Sequence, residues 1–403
     1  MARLSKDELN KIKQKYNVSR IWSWSGVNTF MTSPYEYMLR YVLHVNEDRT
    51  DCGYAPLGSI AHDTLDAFYE GQISYEDMIG QFEDGWLTAI DIADLKLDRN
   101  DEEHDASIKA KYKEDLQIFF KNHIKYKHKL LIEKPVIAQV GDNIFVGYID
   151  ALFKDDDGCY NIIDFKTSSM YRGKTLEEHS GQLTIYGLGL VQAGIPLNKV
   201  KICFNFLKYC NVQYHQKNGA VKERQVERYK LGDSLKTNVK MWLKADGYSE
   251  DEVDDYLKLL IDTNNIDVLP DDVRDKYVIT DCHVFIPFTQ ELIDKWTDTI
   301  VSTIQDINMR EKDYEETKSD AAFWDSEEDV KAQSYYFSTL MGYSANLHKP
   351  YKEYLDKLEA QKNGLDMFGG LLGNSKKNDV VTSQDICNNK TDEVDLSWLD
   401  ELA

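Results

Sequence analysis

The 403-residue chain has six cysteines, at 52, 159, 203, 210, 282 and 387, and no two form a C-x-x-C pair. Such spacing argues against a disulfide scaffold and a zinc ribbon and suits a reducing cytosol. No run approaches 18 uncharged apolar residues, so neither a transmembrane helix nor a membrane partner is expected. The opening MARLSKDELNKIKQKYNVSR is charged and has no apolar centre, unlike a secretory signal, and a cytoplasmic protein is expected. Basic charge is in short supply: 48 Lys and Arg face 70 Asp and Glu, a net charge of −22. A field of that sign repels nucleic acid unless a local basic surface or bound cations reverse it. A phosphate-cradling G-x-x-x-x-G-K-(S/T) loop is also missing. GKT occurs at 173–175, but residue 168 is Ser, so no nucleotide-driven motor is encoded. There is no G-x-S-x-G and no H-E-x-x-H.

What is present suffices for a large core, since 42% of the residues are apolar and 29% charged. Charge is uneven. Residues 109–134 carry eight Lys against three acids, and 199–230 eight Lys or Arg against two. Residues 246–275 carry eleven acids against two bases, and 306–330 ten against three. These are either solvated helix faces or a basic track with an acidic back. Apolar periodicity predicts helices over 5–16, 25–45 with Ser25 as N-cap, 57–72, 75–95 and 104–131. VIAQV, IFVGYIDALF and YNIIDFKTS, separated by GDN and KDDDG, predict a three-stranded meander. A helix over 176–193 follows, then a strand VKICFNFLKY and a second at 211–216. Helices are expected over 233–263, 289–315 and 330–362, with a strand HVFIPF at 283–288. Residues 363–403 are rich in Gly, Asn and Ser and then acidic, which reads as a flexible tail. Its end, TDEVDLSWLDELA, sets Trp398 and leucines among acids, as in a partner-docking peptide, a self-inhibiting segment laid over the basic stretches 109–134 and 199–230, or an inert solubilising tail. The expected parts are 1–130, helical; 131–232, a sheet-bearing core; 233–362, a helical acidic extension; and the tail.

The chemistry concentrates in GYIDALFKDDDGCYNIIDFK, 147–166. Asp150 falls in one strand pattern, and Asp164 and Lys166 fall two apart in the next, so strand alternation puts the latter two on one face. A meander brings Asp150 beside Asp164. Burying three charges among Ile149, Ile162, Ile163 and Phe165 is costly without a cation or mutual pairing. Two carboxylates and a backbone carbonyl form a hard-oxygen site that suits Mg²⁺ or Mn²⁺. A lysine beside it can orient a water and stabilise charge on a phosphate. Taken alone, D-F-K also fits an ordinary acidic hairpin.

The ordered set of motifs resembles the PD-(D/E)xK nuclease superfamily, and its RecB-like exonuclease branch in particular. G-x-x-D is followed by D-x-K; GSIAHDTLDAF supplies His62 upstream; HSGQLTIYGLGL supplies Gln182 and Tyr186 downstream; IEKPV supplies Glu133; and SWSGVNTFMTSPYEY matches the branch's opening helix. The resemblance covers about residues 22–210. It implies an α/β fold, with a mixed central sheet flanked by helices, a helical N-terminal part and a helical C-terminal extension. It implies a Mg²⁺- or Mn²⁺-dependent deoxyribonuclease in which His62, Asp150, Asp164 and the Phe165 carbonyl hold metal. Lys166 would assist catalysis, and Gln182 and Tyr186 would contact DNA phosphate or brace Lys166. Without the other motifs, His62 reads first as a helix histidine facing solvent or core. Arg172 and Lys174, in the loop YRGKT, and Lys208, ending FNFLKY, are candidate DNA contacts. Many members of the branch carry a cysteine before the N-terminal proline and three near the C-terminus that hold an iron–sulfur cluster. Here the first slot is Ser33 and the stretch from Ser334 has no cysteine, so no cluster is expected. The resemblance implies work on DNA in recombination or repair beside a protein partner. The seven prolines and the richness in Lys, Asn, Tyr and Asp suit a bacterial or phage genome, hence phage DNA metabolism and a bacterial or phage-infected cytoplasm as expectations. A non-catalytic DNA-binding or assembly protein on the same fold is the alternative.

Overall fold

The computed structural model describes residues 3–367. Six strands form one mixed sheet: β1 Leu131–Val140, β2 Asn143–Lys154, β3 Tyr160–Lys166, β4 Val200–His215, β5 Val221–Glu227 and β6 Tyr277–Ile286. β1, β2 and β3 are the expected antiparallel meander. β3 then pairs parallel with β4, in register from Tyr160↔Val200 to Lys166↔Phe206. A parallel neighbour needs a crossover, and the helix Gly181–Gln192 lies in the connection. This helix packs hard on β1. A Cβ at Gly189 would sit 2.8 Å from the Ile137 carbonyl, so only glycine permits the approach.

The sheet is covered on both faces, which is why its central strands read as apolar runs. Ile162 and Phe204 pack with Trp22, Phe30, Leu183, Trp296 and Ile300. Ile163, Phe165 and Leu207 pack the other way, with Leu57, Leu65, Phe82, Trp86 and Phe119. Each such side chain, fully buried, contributes about 1.5–3 kcal/mol. A third core joins Cys210, Val212 and Val226 to the helices Leu231–Ala245 and Glu250–Thr263. The N-terminal helices and the C-terminal extension therefore share a core with the sheet, and β6 comes from the extension.

Several elements depart from the sequence expectation for local reasons. Ser23, not Ser25, caps the helix Trp24–Thr32, accepting the Gly26 N–H. That helix stops at Ser33, which turns extended ahead of Pro34. The helix expected over 104–131 ends at Asn122, and a Lys-rich loop leads into β1. β4 is one 16-residue strand rather than two, because β5 takes up on its second half the edge that β3 leaves. β5, VKERQVE, has too few apolar residues to signal a strand. β6 begins six residues before the expected HVFIPF. The expected helix 233–263 is two: Gly247, at φ +93°, breaks it, and a Ser249–Glu252 capping box starts the second. The last helix, Lys349–Met367, runs past the expected boundary at 362, and the rest of the acidic tail lies outside the described residues.

The N-terminal part is tied to the extension through Ser33. Its Oγ accepts the Glu36 N–H at 3.1 Å and donates to Asp325 Oδ2 at 3.0 Å. His348 Nε2 lies 3.0 Å from the Ser33 Oγ, and His348 Nδ1 accepts the Tyr351 N–H. Ser33 and His348 are wholly buried and Asp325 nearly so.

Candidate active site

The site forms where two strands part. The β2–β3 ladder ends at Ala151↔Ile163, while β3 stays paired to β4 as far as Lys166↔Phe206. In the opening, the Phe165 N–H donates to Asp150 Oδ2 at 2.9 Å instead of to a strand carbonyl. Asp164, 2% exposed, lies with Oδ2 2.5 Å from Lys166 Nζ. The helix Tyr54–Tyr69 crosses the opening and delivers His62. Its Nε2 donates to the Phe165 carbonyl at 2.9 Å, and its Nδ1 lies 3.7 Å from Asp150 Oδ2. His62, Glu133 and Asp150 each offer a donor atom within 4.8 Å of the others. His62, Asp150, Asp164, Phe165 and Lys166 thus lie together at this opening.

Charge here is only partly balanced. Burial and the neighbouring Asp164 push the Asp150 carboxyl up to about 7, against His62, Lys166 and the Phe165 N–H. Burial disfavours charge on His62, but Asp150 and Asp164 outweigh it and raise its pKa. Lys166 behaves likewise: burial opposes its charge, and Asp164 and Asp150 overcome that and hold it protonated.

Two acids complete the cluster. Asp66 lies one turn after His62 on the same helix face, and sequence reading did not single it out. Burial, then Glu133, push its carboxyl up to about 7. Glu133 holds φ +51° within β1, a left-handed conformation that costs a non-glycine residue on the order of 1 kcal/mol. Carboxylate oxygens, one imidazole and a carbonyl, crowded enough to hold carboxyls up, are a donor set that fits a hard divalent cation.

Gln182 and Tyr186 join the site from the helix Gly181–Gln192. Gln182 Nε2 donates to the Tyr186 hydroxyl at 3.0 Å. The Tyr186 ring lies so close over β2 that a Cβ at Gly147 would meet it at 2.3 Å, which explains the glycine of G-x-x-D. Burial raises the phenol pKa, and Asp150 and Asp164 add to the shift against the Gln182 hydrogen bond. The remaining candidates scatter. Arg172 is exposed beside Met170, Tyr209 and Arg224. Lys174 is exposed and pairs with Glu178 at 3.1 Å. Lys208 corrects the expectation of a surface cation: it is 4% exposed, with its ammonium 3.4 Å from the Tyr112 ring centre. The basic stretches are also partly neutralised, since Lys109, Lys113, Lys201 and Lys230 pair with Asp105, Asp91, Asp155 and Glu227. A cavity of about 860 Å³ lies on another face of the His62 helix, lined by Ile60, Asp63, Ile79 and Asp84. It contains none of the converging residues.

Here a mixed sheet opens beside two acids and a lysine. A model of the PD-(D/E)XK nuclease superfamily matches residues 21–320, which span the whole site, and the chain belongs to that superfamily. No curated protein matches it.

Proposed function

We propose that the protein is a metal-dependent DNA nuclease, an exonuclease of the RecB-like kind serving recombination, repair or phage DNA metabolism. The observation that carries this reading is the convergence of His62, Asp150, Asp164 and Lys166 on the opening between β2 and β3. His62, Asp150, Asp164 and the Phe165 carbonyl would hold Mg²⁺ or Mn²⁺, with Glu133 and Asp66 beside them. The cation would supply Lewis-acid polarisation of the phosphodiester and a local reversal of the acidic field. Lys166, kept protonated by the two aspartates, orients the attacking water and stabilises charge on the phosphate oxygens. Tyr186, held by Gln182, remains a neutral phenol and fixes the β2 side of the opening. Arg172 and Lys174, exposed after β3, contact DNA backbone.

The test is digestion of linear and circular, single- and double-stranded DNA with Mg²⁺, Mn²⁺ or EDTA. Loss of linear DNA from its ends, stopped by EDTA and by Asp164→Asn, is expected. Tight DNA binding with no cleavage under any metal would favour the non-catalytic reading.

A further inference from the structure

Beside Lys166 stands a pair of rings that the proposed hydrolysis does not use. Tyr171 and His179 stack with ring centroids 4.0 Å apart and an interplanar angle of 14°. They come from opposite ends of the segment joining β3 to the helix Gly181–Gln192, so the stack closes that segment on itself. Tyr171 is half-buried and fixed. It stands edge-on to Phe204 at 5.4 Å and to Phe206 at 5.3 Å, and Ser168 Oγ donates to its hydroxyl at 3.3 Å. Phe204 and Phe206 are the β4 partners of Asp164 and Lys166. Lys166 Nζ lies 5.7 Å from the centre of that same Phe204 ring. The stack is therefore one ring away from the lysine. His179 is exposed. Burial and the Lys166 ammonium lower its pKa, so at neutral pH it is a neutral, flat, aromatic surface.

Resting on the nuclease reading, we propose that Tyr171 and His179 form a stacking platform for an unpaired base next to the scissile phosphodiester. The substrate is then presented as a single strand, or as a duplex end frayed by at least one nucleotide. A base inside a duplex is already stacked on its neighbours and offers the platform no free face. Aromatic stacking is sequence-tolerant because every base has a π-face, so the platform selects strandedness and not sequence. The base on His179 and the phosphate at Lys166 belong to neighbouring positions of one strand, which sets the register of the cut.

The experiment follows binding of a single-stranded oligodeoxynucleotide carrying 2-aminopurine near its end, in full-length protein made inert by Asp164→Asn. Binding should quench the fluorophore at one position. His179→Ala should remove the quenching and weaken single-strand affinity roughly tenfold, while His179→Phe restores both. In the otherwise wild-type chain, His179→Ala should raise KM for single strands with little change in kcat. Equal binding and quenching with His179→Ala would overturn the platform. So would equal losses in His179→Ala and His179→Phe, because the contact would then depend on a ring nitrogen. Single-strand binding with the expected quenching but no cleavage by wild type would sink the nuclease reading and uphold the platform. Cleavage of duplex alone, with no single-strand binding, would do the reverse.

Discussion

Two clusters of this molecule combine histidine with aspartate and treat charge in opposite ways. Around Ser33, one serine, one aspartate and one histidine are sealed from water, and burial drives both titratable groups towards neutrality. The Asp325 carboxyl rises to about 7 and the His348 imidazole falls to about 3. Between β2 and β3, four acids, a histidine and a lysine share a partly open site. There His62 and Lys166 are driven towards the charged form, by Asp150 and Asp164, in spite of burial. The first cluster contains what a tie between chain segments needs, hydrogen bonds among buried side chains. The second keeps excess negative charge and a strained backbone at Glu133, which stability alone would not favour. The match to the nuclease superfamily ends at 320, so it includes Ser33 and excludes Asp325 and His348.

The sharpest way to break the contrast is to neutralise one member of each cluster. Asp150→Asn keeps an oxygen for the Phe165 N–H and removes a charge from a crowded site. Cleavage should fall by at least about a hundredfold, the scale of losing one preorganised electrostatic group. The metal-free melting temperature should hold or rise. Lys166→Met should reduce cleavage at least as far. Retention of wild-type cleavage by Asp150→Asn would remove this site from the chemistry.

At the sealed cluster the order reverses. Ser33→Ala leaves the Glu36 N–H, Asp325 and His348 each short of a buried partner. Stability should drop by about 1–3 kcal/mol, read by urea denaturation, with metal affinity unchanged. The pH dependence is more specific. His348 binds fewer protons folded than unfolded between about 3 and its ordinary 6.5, so its contribution to stability grows as pH rises through that window. Asp325 binds more protons folded than unfolded between its ordinary 3.8 and about 7, so its contribution shrinks over nearly the same range. The two slopes oppose each other in the wild type. Relative to it, Asp325→Asn should steepen the rise in stability from about pH 4 to 6.5, and His348→Gln should tilt the curve downward with pH. Identical slopes in the two variants would refute the assigned protonation states.

Glu133 tests whether the open site trades stability for function. Glu133→Gly relieves the left-handed backbone and thins the carboxylates facing Asp66 and Asp150. A gain of about 1 kcal/mol in unfolding free energy, with weaker activity, is expected. A destabilised Glu133→Gly would show that Glu133 is held by contacts worth more than its strain.

Most of the open site was legible because its residues sit on regular elements. Period-two alternation placed Asp164 and Lys166 on one face of β3, and the meander brought Asp150 alongside. Asp66 escaped because an acid one turn from a histidine reads as a solvated helix face; it matters only when β1 brings Glu133 against it. The left-handed conformation of Glu133 has no sequence signal at all. The sealed cluster joins residues 292 and 315 positions apart from Ser33, a separation that no local pattern reports. Trp398 and its neighbours, the expected docking peptide, lie outside the described residues.

Lys208 marks the smallest expected effect and the plainest limit of reading charge as exposure. A lysine ending the apolar run FNFLKY looks like a surface cation, but β4 continues to His215 and the helix Glu102–Asn122 covers it with Tyr112. Burial lowers its pKa, with Asp115 as the main opposing influence. Burial raises Asp115 to about 7; its Oδ1 accepts the Tyr229 N–H, and its Oδ2 is buried without a hydrogen bond. Lys208→Met keeps the stem over Tyr112 and removes the charge. If Lys208 served DNA, affinity would fall and the salt dependence of binding would lose about one phosphate contact. The expected result is no change in either. Stability should instead carry the signature. Asp115 binds more protons folded than unfolded, and without the ammonium its folded pKa rises further, so the window of falling stability extends to higher pH. The variant should match wild type near pH 5, where Asp115 is protonated in the fold, and lose on the order of 1 kcal/mol by pH 8.5. A loss of DNA affinity without that alkaline loss would return Lys208 to the nucleic-acid surface.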